Sequence, residues 1–554
     1  MHYPTMKHHI SVETRELFIF TFSSSFIIGI LTHAFMFFNK LPNHDDLVHL
    51  PTKSISSWIV LGRWMSKYVS IISGNYTMPA ILGIISVFYL SIASAIIAIW
   101  LFRFSTRFEC FFSSALLMTF PVLASIFSYI HGADTFTFAL LLAVIAITIY
   151  NKGITHIILA SILQGLVIAI HPMFLSFSIS LFSTLIIISI LKKIQIHLIL
   201  ANILKYIITL LLGFVGHLAI LKILLKYYGI SLQTYQGVNN VNNITFITRI
   251  LDNFIKYTVE SYSGFFKFFF QYPWGNINKF HTLLFYVNTT FFTFTCVLLL
   301  IIIIYTHVYK NKILWLLLIS VLALFPVAIN NIVIFSQGQS AATLYAYPLV
   351  LPYILSIKLI SILPKNQIKP LISKPLFMII IMIVWSNCIV VNAAYLQLFY
   401  TYQQLYAFTV KLESKIESTD GYYLGIPIIL LGRAHEKSLN NIIFDNVDRM
   451  VGILTPYDMF IGYSYDKFMK YYTGFQSPLY GYDSIKKVRR LDVVQRMPTY
   501  PSKLSLKVID GLLIVKFGMS EIFSPYNSEY FYPQYVDLNI DKIQDYANIT
   551  NVLK

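Results

Sequence analysis

Charged side chains are scarce in this sequence. Lys, Arg, Asp and Glu together make up 12% of its 554 residues, whereas hydrophobic residues make up 57%. Soluble domains carry about 25% charged residues, and half that share cannot cover a water-facing surface of this size. The composition therefore excludes a single soluble domain, a disordered chain and a secreted disulfide scaffold, and it leaves a polytopic membrane protein.

Cysteine is also scarce, and the three residues of this type lie in or beside apolar runs. We expect free thiols there, with neither a disulfide framework nor a metal site. The sequence has no Walker motif, no glycine-rich dinucleotide fingerprint and no zinc-ligand spacing, so it predicts no cofactor and no metal. Lys and Arg outnumber Asp and Glu by 41 to 24, mostly beside apolar runs and in the C-terminal third. This positive charge favours membrane lipid over nucleic acid as a partner.

Long apolar runs are what the sequence does contain. A helix that crosses a membrane needs about 20 predominantly apolar residues, and runs near that length predict an all-α membrane domain of about eleven spans. The predicted spans are Leu17–Phe38, Pro79–Phe102, Cys110–Phe127, Phe136–Tyr150, Ile154–Ile170, Met173–Leu191, Ile207–Ile223, Thr282–Tyr305, Ile313–Ile329, Ala342–Leu359 and Leu376–Ala393.

The short links between these runs differ in charge. If the N-terminus is cytoplasmic, the outer short links 128–135, 171–172 and 330–341 contain no Lys or Arg, whereas the cytoplasmic links are rich in them. Cytoplasmic loops of membrane proteins carry an excess of these residues, so the asymmetry predicts a cytoplasmic N-terminus. The predicted cytoplasmic cations are Arg103, Arg107, Lys152, Lys192, Lys193, Lys310, Lys312, Lys365, Lys369 and Lys374.

The same orientation places three longer segments outside the membrane: the loops 39–78 and 226–281, and the chain after about Ala394. The last segment is richer in glycine and charge, and it shows an amphipathic helical pattern over Phe399–Ile416. Short apolar runs typical of buried strands follow later in this segment. We therefore predict a multi-span domain over residues 1–393 and a small α/β domain with a tail over 394–554. The strand-like runs are Ile426–Leu431 and Leu512–Val515.

Two adjacent carboxylates open the first outer loop, in the sequence Asn43-His44-Asp45-Asp46. A carboxylate at the membrane surface is suited to act as a general base on a substrate that a lipid presents, and His44 beside it is a candidate substrate ligand. The alternative interpretation is a solvated loop in which Asp45 or Asp46 caps a following turn.

An arginine beside a tryptophan follows in the same loop, in the motif Gly62-Arg63-Trp64. The forked donors of a guanidinium group suit a phosphate, so Arg63 is a candidate for binding the phosphate of a lipid donor. The alternative is an interfacial anchor, with Trp64 at the depth of the head groups.

Five polar residues in the other predicted outer links are candidate substrate ligands. Asp134 is the only acid of these links, and an N-cap for the next span is its alternative role. The histidines and amides are suited to bind sugar hydroxyls or phosphate, although each also fits an ordinary turn. These candidates are His131, Asp134, His171, Gln337 and Gln339.

These features together resemble a known family. A long first span, the paired acids Asp45 and Asp46, and the motif at 62–64 before a second span are similar to the serotype-converting O-antigen glucosyltransferases, the Gtr type II family. Near the end of the chain, the segments 497–501 and 510–518 resemble the closing segment of that family.

The resemblance implies a GT-C-like fold and a glycosyltransferase of the bacterial inner membrane. Glucose would pass from undecaprenyl-phosphate-glucose to a hydroxyl of an O-antigen repeat of lipopolysaccharide, in the periplasm. The catalytic acid of the family corresponds by position to Asp45 or Asp46, and Asp134 is the nearest candidate for a second acid. Further partners implied are a small flippase and a cytoplasmic enzyme that makes the lipid-linked glucose. The acceptor sugar and the linkage do not carry over.

Two other functions remain as alternatives. An O-antigen polymerase usually has several arginines in its large outer loops, whereas the loop 226–281 contains Arg249 alone. A flippase or carrier for a lipid-linked glycan predicts charged residues along a path between the spans, and the apolar runs contain almost none.

Overall fold

A computed structural model of the protein describes residues 11–41, 43–52, 56–232, 248, 250–275, 279–335, 343–364, 368–435, 439, 443–460, 464–475 and 488–518. The chain divides into two compact units. Unit 1 consists of Met1–Lys40, Pro51–Tyr395 and Phe444–Ile453, and unit 2 consists of Leu41–Leu50, Leu396–Ile443 and Leu454–Lys554. The paired acids therefore belong to unit 2, whereas the rest of the first predicted outer loop belongs to unit 1 from Pro51 onward.

Helices make up most of the described chain. In chain order they are α1 (Val12–Phe38), α2 (His44–Val48), α3 (Ser56–Val60), α4 (Trp64–Val69), α5 (Pro79–Ile96), α6 (Arg107–Thr119), α7 (Val122–Ser128), α8 (Ile130–Ile149), α9 (Ile154–Ile170), α10 (Phe174–Leu191), α11 (Ile196–Tyr228), α12 (Phe254–Phe270), α13 (Lys279–Thr306), α14 (Lys312–Ile329), α15 (Ile332–Phe335), α16 (Leu351–Ile362), α17 (Ile368–Glu417), α18 (Pro456–Met459), α19 (Tyr465–Phe468) and α20 (Asp492–Arg496).

The described residues include eight helices that are long and apolar enough to cross a membrane, which makes this a polytopic helical membrane protein. Counting α6 and α7 as one bent span gives nine, fewer than the predicted number of about eleven. The difference comes from two shorter apolar helices, Ile154–Ile170 and Tyr347–Ile362. Both overlap predicted spans, but at 17 residues or fewer they are shorter than the eight long helices.

The bend between α6 and α7 has its cause in the sequence. Helix α6 begins with a capping box, in which the Thr106 side chain accepts from the Glu109 backbone N–H and Glu109 reaches back to the Thr106 backbone N–H. It ends before Pro121, because proline disfavours a helical conformation in the preceding residue, and Phe120 is extended. The two helices meet at 47°.

Small residues let the helices of unit 1 approach closely. Helix α9 packs on both α8 and α11. At its contact with α11, a Cβ added to Gly165 would lie 2.8 Å from the carbonyl oxygen of Gly213. Between α1 and α5, Ser25 donates a hydrogen bond of 2.8 Å to Ser94. Such close contacts are typical of helix packing in membranes, where small residues let the backbones meet.

The last predicted span, Leu376–Ala393, and the amphipathic stretch Phe399–Ile416 lie in one helix. Helix α17 is continuous over 50 residues, from Ile368 to Glu417. No glycine or proline lies between Ala393 and Phe399, so nothing in the local sequence ends the helix there.

Unit 2 contains a three-stranded sheet in which β3 (Leu512–Lys516) lies between β1 (Ile428–Leu431) and β2 (Leu506–Ile509). Strand β1 runs parallel to β3, and β2 runs antiparallel to it. The hairpin turn between β2 and β3 is Asp510-Gly511, and both residues have positive φ, as this type of tight turn requires. Two of these strands were predicted from their apolar runs.

A buried lysine joins this sheet to a helix. Lys516 of β3 is 4% exposed, and its ammonium group donates hydrogen bonds of 2.6 to 2.9 Å to three backbone carbonyls. The carbonyls belong to Val494, Gln495 and Met497, at the C-terminal end of α20. A cation is favourable there because the last carbonyls of a helix lack backbone donors.

Candidate active site

In unit 2, the short helix α2 carries the two predicted acids, and its N-terminus shows what one of them does. The Asn43 side-chain oxygen accepts from the backbone N–H groups of Asp45 and Asp46, at 2.9 and 3.1 Å. In return, the Asn43 N–H donates to Oδ2 of Asp46 at 2.8 Å. The N-cap is therefore Asn43, and not Asp45 or Asp46 as the alternative interpretation proposed. Asp46 closes the capping box from the third helical position and is fully buried.

Asp45 is placed differently. Its side chain is 42% exposed, and its Oδ1 lies 3.3 Å from Nε2 of His44, whose side chain is 18% exposed. The predicted alternative of a capping role does not hold for Asp45, since its contribution to the cap is its backbone N–H. The carboxylate is therefore open to solvent on one side and held by a histidine on the other.

Two tyrosines of unit 2 lie close to Asp46. Tyr402 of α17 and Tyr472 share a side-chain hydrogen bond, their ring centroids lie 5.3 Å apart, and Asp46 interacts electrostatically with both. Burial raises the pKa of the Tyr472 hydroxyl; its hydrogen bond with Tyr402 opposes this rise, and the negative charge of Asp46 adds to it. The Tyr472 hydroxyl therefore stays protonated at neutral pH. Sequence reasoning missed this pair.

In unit 1, a glycine turn positions the predicted phosphate ligand. Gly62 has a φ of 74°, and the Arg63 N–H donates to the carbonyl of Trp58 at 2.8 Å, which reverses the chain before α4. The Arg63 side chain is half-buried. Trp64 is 6% exposed, and its indole N–H donates to Nδ1 of His217 at 3.2 Å. The predicted alternative of an interfacial anchor is therefore wrong for Trp64, which packs inside the protein.

Arg63 lies near another predicted residue, His171. This histidine follows the last residue of α9 and is buried, and its Nδ1 accepts from the Met173 N–H at 3.3 Å. Burial lowers the pKa of His171 well below its ordinary 6.5, and the positive charge of Arg63 lowers it further. His171 is therefore neutral at pH 7, which leaves Arg63 as the positive charge of this pair.

The structure corrects the prediction for Asp134. The link 128–135 was predicted to be a loop, with Asp134 as a candidate substrate ligand or, alternatively, an N-cap, but α8 begins at Ile130 and Asp134 lies inside the helix. It is buried, and its Oδ2 accepts a hydrogen bond of 3.0 Å from Ser73. Ser66 donates in turn to the Ile170 carbonyl at 3.0 Å. Asp134 therefore helps to hold the segment that follows α4 against helix α8.

His131 also lies within α8 and not in a loop. It is 5% exposed, and its ring centroid lies 5.7 Å from that of Trp58 and 6.5 Å from that of Tyr129. Packing among aromatic rings is thus the environment of His131. The predicted substrate ligands Gln337 and Gln339 lie outside the described residues.

The described part of the chain contains no group of three or more His, Cys, Asp or Glu side chains that could hold a metal ion. The strongest arrangement for acid–base chemistry is the pair of Asp45 and His44 in unit 2. The strongest arrangement for binding an anion among the predicted residues is Arg63 beside neutral His171 in unit 1.

Comparisons with known proteins point to one family. No curated protein and no solved structure matches the chain. The family described as glucosyl transferase GtrII matches residues 34–353, which is more than half of the chain and includes both acids, Arg63, Asp134 and His171. The closing segments 497–501 and 510–518 lie beyond this match, so their resemblance to the family stays a prediction. Since the match covers most of the membrane-spanning helices and the first outer loop, the chain belongs to the glucosyl transferase GtrII family.

Proposed function

We propose that the protein transfers glucose from undecaprenyl-phosphate-glucose to a hydroxyl of an O-antigen repeat of lipopolysaccharide, at the periplasmic face of the bacterial inner membrane. The family supports glucosyl transfer, and the apolar helices support a membrane location. The charge asymmetry of the short links supports a cytoplasmic N-terminus and a periplasmic C-terminal region. The observation that carries the mechanism is the half-exposed carboxylate of Asp45.

Of the two acids, Asp45 is the better general base. A base has to reach the proton that it removes, within hydrogen-bond distance of the acceptor hydroxyl. Asp46 is fully buried, and one of its oxygens already accepts the Asn43 N–H. Asp45 is accessible, and His44 holds its carboxylate in place from one side. We therefore assign the base to Asp45, a positioning role to His44 and a structural role to Asp46.

The reaction then needs one displacement. The acceptor oxygen attacks the anomeric carbon of glucose while its proton passes to Asp45, and the bond from that carbon to the phosphate oxygen breaks. Undecaprenyl phosphate leaves with the bonding electrons. Because a phosphate is a good leaving group, no covalent sugar–enzyme intermediate is required, and a single displacement inverts the anomeric centre. No step in this scheme calls for a metal.

The reaction also needs a positive charge that stabilises the departing phosphate, and we assign this role to Arg63. A guanidinium group offers two parallel donors to phosphate oxygens, and it is most effective where charge develops in the transition state. His171 is neutral beside it and does not add a competing charge. His131, Asp134, Gln337 and Gln339 remain proposed substrate ligands. Because Asp45 and Arg63 belong to different units, each role is tested separately.

The proposal is tested on the intact protein in cells. The chain is expressed in a host that has an O-antigen and the pathway for lipid-linked glucose, including a flippase and a cytoplasmic synthase. Mass spectrometry of the released polysaccharide should show one additional glucose per repeat. If the protein reaches the membrane and the repeat is unchanged, glucosyl transfer to the O-antigen is ruled out.

A purified reaction separates the enzyme from the two alternatives. The full chain in detergent is mixed with radiolabelled undecaprenyl-phosphate-glucose and isolated lipopolysaccharide. A glucosyltransferase moves the label covalently to the polysaccharide. A carrier leaves the label on the lipid, and a polymerase changes the length of the polysaccharide without adding glucose. Either of these two results contradicts the proposal.

A further inference from the structure

A lysine is buried in unit 1 near the end of α16. Lys358 is 5% exposed, and its neighbours Ile357 and Leu359 are fully buried. An ammonium group in such surroundings is costly unless an opposite charge or several acceptors compensate it. No predicted role was assigned to this residue, which lies within one of the predicted spans.

The contacts of Lys358 compensate its charge only in part. Its ammonium group donates a hydrogen bond of 3.2 Å to the Arg103 carbonyl and lies 5.6 Å above the ring of Phe104. A lysine has three N–H donors, and the residues that the structure describes supply a hydrogen-bond acceptor to one of them. Among the residues that the structure describes, no carboxylate forms an ion pair with Lys358.

Other cations surround this lysine. Arg103, Lys192 and Lys369 all interact with it electrostatically, and we name these four residues the basic cluster. Burial lowers the pKa of Lys192, and the nearby charge of Arg103 lowers it further. In the described part of the chain, the acid whose charge acts on Lys358 is Glu109. Its Oε2 already accepts from the Ser105 and Thr106 N–H groups and from the Thr106 hydroxyl.

The basic cluster lies far from the residues assigned to glucosyl transfer in unit 1. Helix α10 begins just after His171 and ends just before Lys192, and its 18 residues span about 27 Å. Arg103, Lys192 and Lys369 come from separate links that the sequence predicts to be cytoplasmic. The cytoplasmic leaflet is the one that carries anionic lipid, and basic pockets between helices on that side bind anionic head groups.

We propose that the basic cluster of Arg103, Lys192, Lys358 and Lys369 binds a phosphate group, on an anionic lipid head group or as free phosphate, at the end of unit 1 opposite His171. A phosphate supplies the negative charge that Glu109 alone does not, and its oxygens accept from the remaining N–H donors of Lys358. The site is independent of the proposed glucosyl transfer, since it shares no residue with it.

The test measures binding to the full-length protein purified in detergent. Thermal unfolding is followed during titration with phosphatidylglycerol, with phosphatidylcholine or with inorganic phosphate. Phosphatidylglycerol or phosphate should raise the unfolding midpoint in a saturable manner, whereas phosphatidylcholine should not. A response to phosphatidylglycerol at lower concentration identifies the lipid as the source of the phosphate, and the reverse identifies free phosphate.

Variants connect this response to the basic cluster. Lys358→Met keeps the shape of the side chain and removes its charge, and it should weaken phosphate-group binding about tenfold or more, as expected for the loss of a charge-assisted hydrogen bond. Lys192→Met, at a position less buried than that of Lys358, should also weaken it and guards against misfolding of the buried variant. Lys152→Met is the matched control, since Lys152 is exposed and lies on another predicted cytoplasmic link. Equal binding by Lys192→Met, Lys152→Met and the unaltered protein would overturn the proposal, as would equal stabilisation by phosphatidylcholine.

Discussion

Helices α2 and α4 are two short helices of the same predicted outer loop, and they hold their N-termini by different means. Helix α2 uses its own side chains, because Asn43 and Asp46 form a reciprocal capping box. Helix α4 has no side-chain cap at Arg63, and bonds from Ser66 and Ser73 to neighbouring helices hold its segment instead.

The difference shows which charged residue is available for chemistry in each helix. In α2 the capping box occupies Asp46 and leaves the side chain of Asp45 outside it. In α4 the two serines make the anchoring bonds, and the Arg63 side chain takes no part in the cap. The charged side chains outside the N-terminal caps are therefore Asp45 in α2 and Arg63 before α4. The predictions below test this division of roles.

Asp45→Asn should have the largest effect. The amide cannot accept the proton of the acceptor hydroxyl, so the rate of glucosyl transfer should fall at least about 100-fold, as is typical for loss of a general base. The backbone cap is unchanged, so the unfolding midpoint should stay near that of the unaltered protein. The rate is measured as label transferred from the lipid donor to the polysaccharide.

Asp420→Asn is the matched control for this variant, since Asp420 is an exposed acid of unit 2. It should retain full activity. An Asp45→Asn protein that keeps normal activity contradicts the assignment of the base.

Arg63→Met should have the next largest effect. Loss of one charge-assisted contact with phosphate is expected to lower the rate about tenfold to 100-fold. Lys67→Met on the same helix is the control, because Lys67 donates to the Tyr228 hydroxyl and lies above its ring. If both variants lose the same activity, the effect reflects a disturbed helix α4, and the phosphate-binding role of Arg63 fails.

The spans could be predicted because their signal is local. A run of about 20 apolar residues already implies a helix in a membrane, so each predicted span coincides with an apolar helix or helix pair. The start of α8 was misplaced because Asp134 has the residue type of an N-cap, whereas the helix begins four residues earlier, after Tyr129. The continuity of α17 fits the absence of glycine and proline near residue 396, although its two parts were predicted separately.

The candidate site could be predicted only where its contacts are local in the sequence. Asp45 and His44 are neighbours in the sequence, so their pairing needs no knowledge of the fold. The partners of Asp46 and Asp134 are distant in sequence: Tyr472 is contributed by the C-terminal third of the chain, and Ser73 lies 61 residues before Asp134. Such contacts depend on how helices pack, and no local pattern encodes them.

Asp46 should matter more for stability than for catalysis. Asp46→Ala leaves the buried N–H of Asn43 without an acceptor, and it should lower the free energy of unfolding by about 1–3 kcal/mol. Asp46→Asn keeps an oxygen that accepts this N–H, so it should cost less and leave the transfer rate within a few-fold of normal. Chemical unfolding and the transfer assay measure the two effects. A 100-fold loss of activity in Asp46→Asn would exchange the roles of the two acids.

The smallest effect concerns His171 and pH. Its pKa is lowered in the folded protein by burial and by Arg63, so the unfolded chain binds a proton more readily. The stability that neutral His171 contributes is therefore fully present above its ordinary pKa of 6.5, and it is lost as the pH falls below that value. The loss is at most about 1.4 kcal/mol per pH unit for one group. His171→Asn keeps an acceptor for the Met173 N–H but cannot titrate, so its unfolding midpoint should decline less between about pH 7.5 and about pH 5.5. Other buried histidines titrate equally in both proteins, and identical pH profiles would show that His171 is not held neutral in the folded state.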